Sequence, residues 1–467
     1  MELTEINALL EKLSNANGIS GAEGAVAKII RDEVAPYVDE ITTDRMGNLV
    51  AIKKGDDFKI MLAAHMDEIG LMVQYIDEKG FIRFVGVGGW YNPVLVSQRV
   101  ILHGEKGDVP GVLGMKPPHV MEEADRKKPI ELANLFIDVG AHSAEEVEAM
   151  GITVGTTVTI DRDYQPLAGT VVTGKALDNR VGCAMLIGAL KEMETKHTIY
   201  AVFTVQEEVG LKGAKTAAFS LNPDVAIATD VTIPGDSPGI ERRKAPVFMG
   251  EGPVVVMVSA SGRGHLADPR MVDWLKKTAK KHDIKIQLEV GDGGNTDASA
   301  INFERGGIPS VPVSVPARYI HSPVEVIDLK DLQGAIELLR LAVKTKLLTF
   351  FYRPVTGSSG TQKRTEKKLQ ESGNQNYQDY CRDKIAQGKR ENLLPAEGNT
   401  FCTDFINNSL RFDYPAGNNT HQECTDWQED VVCEIVQECK DSKTVYLNEI
   451  QNTESQRDQN NGCGKRK

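Results

Sequence analysis

No stretch of this 467-residue chain approaches the ~18 consecutive apolar residues that a membrane-spanning helix needs. A helical membrane span is therefore not expected. The chain also lacks an excess of positive charge. Its formal net charge is −12, which argues against nucleic acid or an anionic membrane surface as a partner. The opening MELTEINALLEKL has neither the basic n-region nor the apolar h-region of a signal peptide and reads as an acidic amphipathic helix. Cysteine is almost missing from most of the chain, since Cys183 stands alone before residue 380. Such sparing use of thiols belongs to a reducing compartment, so a cytoplasmic core is expected.

The other six cysteines are Cys381, Cys402, Cys424, Cys433, Cys439 and Cys463. So many in a short segment make a disulfide count. Two glycosylation sequons, Asn407-Asn408-Ser409 and Asn418-Asn419-Thr420, fall among them. Residues 353–361, with Gly357-Ser358-Ser359-Gly360, read as a flexible linker. Residues 362–467 then read as an appended Cys-rich module of secreted type, the plainer reading being a polar tail. Over the whole chain the composition, 41% hydrophobic and 26% charged, is that of a soluble globular protein. The length suits two or three domains.

Residues 1–69 open with two helical patterns, one on Ile6, Leu9, Leu10 and Leu13, the other on Ala25, Ile29 and Val34. A strand pair near Glu40–Ile52 turns at Met46-Gly47-Asn48. Between 70 and 165 the texture changes to short alternating runs, such as GLMVQYI, FIRFVGV and QRVILHG, parted by glycines and Asp/Asn turns. That spacing predicts an inserted small all-β barrel or sandwich. From 166 to 352 short Val/Ile/Ala-rich runs alternate with helical stretches near 179–193, 209–219, 271–282, 296–304 and 328–346. Alternation of this kind predicts an α/β fold, a mostly parallel sheet with helices on both faces.

In such sheets, sites form at the carboxyl ends of strands. Four runs end on candidate metal ligands: IMLAAH on His65, TVVTGKALD on Asp178, IYAVFTVQEE on Glu207 and Glu208, and DVAIATD on Asp230. His321 follows the run PSVPVSV and Arg318. A buried acid without a partner is costly, so Asp230 points to a cation. Two adjacent carboxylates at 207 and 208 face opposite ways on an extended chain. One can hold a metal while the other serves as a base, because a base must not be neutralised by the metal. Asp67 stands close enough to His65 to fix its tautomer. Asp297 follows the glycine loop Gly293-Gly294-Asn295 and could approach substrate. Taken singly, a histidine at a strand end or an aspartate at a helix start is commonplace. Together they form a set suited to two divalent ions sharing an Asp, with Zn, Co and Mn all compatible.

The segments AAHMDEIG, KALDNRVG, QEEVGLKGA, ATDVT, GGNTDA and ARYIHSPVE resemble, in order and spacing, the tetrahedral aminopeptidases. These are the glutamyl and deblocking aminopeptidases among the dinuclear zinc-type metallopeptidases. The resemblance spans residues 1–350 or so and departs beyond 352. It implies that His65 and Asp230 hold one metal, that Glu208 and His321 hold the other, and that Asp178 bridges them. It implies Glu207 as general base on a metal-bridging water and Asp67 as the group orienting His65. Short peptides are the implied substrates, with Arg318, Asp297 and His119 on the substrate side. The 70–165 insert would mediate dimerisation, and dimers would build a tetrahedral dodecamer. Two other readings share these residues: a carboxypeptidase or deacylase with the same centre, and a self-assembling scaffold displaying its C-terminal segment.

Overall fold

The computed structural model describes residues 1–345. The linker at 353–361 and the Cys-rich segment at 362–467, with its disulfides and sequons, lie outside the described residues. No described helix is long and apolar enough to cross a membrane.

The strands Asp56–His65, Val225–Thr232 and Ser310–Pro316 are buried along nearly their whole length. Runs buried on both faces belong in the middle of a parallel sheet. They sit there, joined by His197–Thr204 in a nine-stranded sheet. His197–Thr204, Asp56–His65, Val225–Thr232 and Ser310–Pro316 pair parallel in that spatial order. The flanks run antiparallel. The hairpin of Glu40–Thr43 and Leu49–Lys53 closes one side, and Val254–Ser259 pairs antiparallel with Ser310–Pro316 on the other. The mostly parallel sheet is thus a parallel core with antiparallel edges.

The helix Leu177–Lys191 is buried along almost its full length and apolar on every side from Val181 to Leu190. A helix of that kind needs partners on several sides. It lies in one large core with the helices Leu3–Ser14, Gly24–Val34 and Leu329–Ala342. Gly24–Val34 buries Val26, Ile30 and Val34 rather than the expected Ala25 and Ile29. The run AVAKII is apolar at both offsets, so periodicity could not choose between adjacent faces. On the other side of the sheet, Ala214, Ala217 and Ala218 of the helix Lys212–Leu221 pack with Met61, Val202 and Ile301.

The run TVVTG departs from expectation. Val171–Gly174 is not a strand of the main sheet. It forms a small antiparallel sheet with Gln165–Pro166 and Glu325–Asp328. Its burial alternates, as suits a strand buried on one face only. Asp178 therefore reaches the site from the start of a helix. Within 70–165, six strands close into a barrel with its own apolar core. The same segment also carries the short helices Glu123–Arg126 and Ala144–Ala149.

Candidate metal centre

His65 ends its strand, Asp230 lies two residues before the end of the adjacent strand, and Thr204 ends the strand on the other side. The chain leaves Thr204 through Gln206 at φ +56. The carboxylates of Glu207 and Glu208 therefore diverge from a turn, not from an extended strand. Glu207 Oε2 lies 3.8 Å from His65 Nε2, and Glu208 Oε2 lies 3.2 Å from His321 Nε2. Asp178 stands between the two imidazoles. Its Oδ1 is 3.2 Å from His65 Nε2 and its Oδ2 is 3.4 Å from His321 Nε2. A cis peptide joins Asp178 to Asn179. Asp230 groups with His65 and Glu207, their ligand atoms all within 4.8 Å of one another. Asp178 groups with His65 and Glu208 within the same limit.

Two carboxylates behind these residues hold the turns that carry them. Asp67 accepts the main-chain N–H of Glu207 at 3.0 Å, that of Glu208 at 3.1 Å and the Ser20 hydroxyl at 2.6 Å. Its own carbonyl faces His65 Nδ1 at 3.0 Å. A carbonyl can only accept, so the neutral ring carries its proton on Nδ1 and turns Nε2 toward Asp178. Asp67 thus orients His65 chiefly through its main chain. Glu325 does the equivalent on the far side, accepting the N–H of Asp178 at 2.8 Å and of His321 at 3.0 Å. Sequence reasoning assigned no role to Glu325. Only its place at the end of ARYIHSPVE hinted at one. A further buried lock, Lys175 on both oxygens of Glu68 at 2.8 Å, ties the His65 strand end to the segment that leads into Asp178.

The electrostatics are those of a site short of positive charge. Burial raises the carboxyls of Glu207 and Asp230 well above the ordinary range, and neighbouring acids add to it. Burial works against a charged His65, but Glu207, Asp178 and Asp67 together raise it well above its usual value. His321 is pushed up to about 11 by its contacts with Asp178 and Glu208. Burial would raise Asp178 too, yet the two imidazoles pull it below the usual carboxylate range. Asp178 Oδ1 and Glu208 Oε1 are buried and accept no hydrogen bond. Orphaned oxygens beside imidazoles, on hard oxygen and nitrogen donors, fit a divalent cation.

The cluster opens into a cavity of about 710 Å³. The remaining expected substrate residues are placed differently. Asp297 is buried behind the cluster, takes the Thr204 hydroxyl at 2.5 Å and is raised by burial to about 6. Arg318 is occupied by Asp236, at 3.0 and 2.7 Å. His119 sits in an exposed turn of the 70–165 segment. None of these three lines the cavity.

An acid-rich, imidazole-containing cluster at the carboxyl edge of a parallel sheet is suited to a metal-dependent hydrolase. Residues 47–338 match the M42 glutamyl aminopeptidase family. A putative aminopeptidase of Acetivibrio thermocellus is 43% identical over 344 residues, covering 73% of this chain and all of that protein. An aminopeptidase structure from the archaeon Desulfurococcus kamchatkensis aligns with a TM-score of 0.72 at 41% identity, over 75% of this chain and 97% of that one. The TET1 peptidase of Pyrococcus horikoshii, which can assemble into a tetrahedron or a large octahedral shell, aligns with a TM-score of 0.66. It is 34% identical, over 73% of this chain and 99% of its own. The chain belongs to the M42 glutamyl aminopeptidase family, and it is a metal-dependent aminopeptidase.

Proposed function

We propose that this aminopeptidase removes the first residue of short peptides with two divalent ions, zinc, cobalt or manganese. His65 and Asp230 would hold one, Glu208 and His321 the other, and Asp178 would offer one oxygen to each. The observation that carries this reading is Asp178 between the imidazoles, one oxygen within 3.2 Å of His65 and the other within 3.4 Å of His321. Bound divalent ions would polarise the scissile carbonyl and lower the pKa of water. Glu207 is buried beside His65 with a carboxyl that holds a proton readily. It takes the proton of the attacking water and returns it to the amine as the C–N bond breaks. Asp67 keeps both carboxylates of the 207–208 turn in place.

The barrel within 70–165 is the proposed dimerisation module of a tetrahedral dodecamer. Tyr75, Val85 and Val112 on its strands are exposed apolar side chains that a partner would cover. A cytoplasmic catalytic unit is part of this proposal, supported by the sparing use of cysteine before residue 380. The test is a panel of aminoacyl anilides and their N-acetylated forms, with chelator and with each metal restored. Turnover of free but not acetylated substrates, abolished by chelation and recovered by metal, is expected. Equal turnover of acetylated substrates would overturn the exopeptidase reading. Native mass spectrometry of the full chain checks the dodecamer.

A further inference from the structure

The cavity beside the metal cluster has a charged wall that the reaction does not use. Glu289 lies on the strand Gln287–Val290 and lines that cavity. It is only 8% exposed. Its Oε2 accepts the Thr232 hydroxyl at 2.7 Å, while Oε1 has no partner among the described residues. A side chain added at Gly291, also on the cavity wall, would meet that Oε1 at 3.3 Å. The glycine thus leaves the oxygen approachable from the cavity. The same wall carries the apolar side chains of Val256, Val258, Ile240 and Ala245 beside polar ones such as Ser259 and Asp292.

A carboxylate on a residue only 8% exposed, with one oxygen free, has lost most of its hydration, and that is costly. Burial raises its pKa and the Thr232 hydrogen bond only partly offsets this. A cation brought to Oε1 would relieve that cost. The depth also fits. Thr232 follows Asp230 by two residues on the same strand, so both side chains point to one face. Two residues of strand advance about 6–7 Å, close to the reach of an extended lysine side chain. Lys244 also lines the cavity and could favour an acidic residue instead. Its side chain is 65% exposed and lies 3.6 Å from Glu241. Solvent and that neighbour screen its charge, while Glu289, only 8% exposed, is screened less and the same charge counts for more there.

From this geometry we infer that Glu289 selects peptides whose first residue carries a long cationic side chain, lysine before all others. The inference rests on the proposed placement of the substrate's first residue at the cluster. The aliphatic stem lies along Val256, Val258 and Ile240, and the ammonium donates to Glu289 Oε1.

Two measurements test it on the metal-loaded full chain. In the first, lysyl, leucyl and glutamyl anilides are compared for wild type and Glu289→Gln. Lysyl kcat/KM should exceed leucyl by about tenfold or more, since a buried polar group left unpaired by the wrong substrate discriminates strongly. Glu289→Gln should erase most of that ratio with leucyl turnover nearly unchanged. A wild type that prefers leucyl or glutamyl substrates, or a variant that keeps the lysyl ratio, overturns the inference. The second needs neither turnover nor a variant: calorimetric binding of L-lysine against L-norleucine, which has the stem without the ammonium. Tighter binding of lysine supports the subsite, and equal binding overturns it. Failure of the peptidase reading would show differently, as no turnover of any anilide.

Discussion

Glu325 accepts the main-chain N–H of Asp178 at 2.8 Å across 147 positions of sequence. The same carboxylate takes the N–H of His321, so one buried side chain fixes both sides of the proposed second metal site. Glu325→Ala would leave two N–H groups without this acceptor, that of Asp178 buried and that of His321 partly buried. We predict a metal affinity lower by about 10–100-fold, the usual cost of losing an outer partner of a ligand. Glu325→Gln, which keeps an acceptor, should lose less. Competition titration with a zinc chelator measures both, and an unchanged affinity in the alanine variant would dismiss the positioning role.

Glu207 approaches His65 at 3.8 Å and belongs to a group of three possible ligands. Geometry alone allows it to be a ligand or a base. The two roles separate in the Glu207→Gln variant. A base predicts two metals still bound, intact assembly and kcat lower by about 10²–10⁴-fold. Metal analysis beside single-turnover kinetics decides it. Loss of one metal per chain would make Glu207 a ligand.

Metal uptake should release protons. A ligand imidazole must be deprotonated to bind. Without metal, His321 is held up to about 11 by Asp178 and Glu208, so it is protonated at neutral pH. Its proton stabilises the metal-free fold fully below the ordinary histidine pKa, and that contribution fades as the pH rises toward about 11. Affinity for metal should accordingly increase with pH. Titrating metal into unbuffered chelator-treated protein should release at least one proton per chain. No release would contradict a protonated His321.

Arg180 is completely buried. Its guanidinium donates to the carbonyls of Leu13, Ala16, Gly18 and Met66 and lies 3.4 Å from Glu68. It ties the first helix to the His65 strand end. Arg180→Met would strip these carbonyls of their donor and leave the Glu68–Lys175 pair without its third member. A loss of about 3 kcal/mol or more is predicted, as for a buried charge network deprived of one partner. Denaturant unfolding of the metal-free variant measures it. A change under about 1 kcal/mol would show that water replaces the guanidinium.

The central strands and the types of residue at their ends were legible because their signal is local. Continuous burial writes continuous Val, Ile and Ala into Asp56–His65 and Val225–Thr232, and an acid or imidazole after such a run stands out. The runs of the 70–165 segment were legible for the same reason, since alternation is a property of neighbours in the chain. The sheet to which Val171–Gly174 belongs was not, because a strand's partners leave no mark on its own sequence.

What only the tertiary structure decided is which distant groups meet. Asp67 and Glu325 hold the ligand turns, Arg180 gathers four carbonyls, and Glu289 faces the cavity with one free oxygen. Each of these is one acid or base among many in a chain that is 26% charged. The physical reason is that a side-chain hydrogen bond is satisfied within about 3 Å in space. Periodicity reports only the burial of a face, so it marks where a ligand emerges and is silent on the residue, some 150 positions away, that keeps it there.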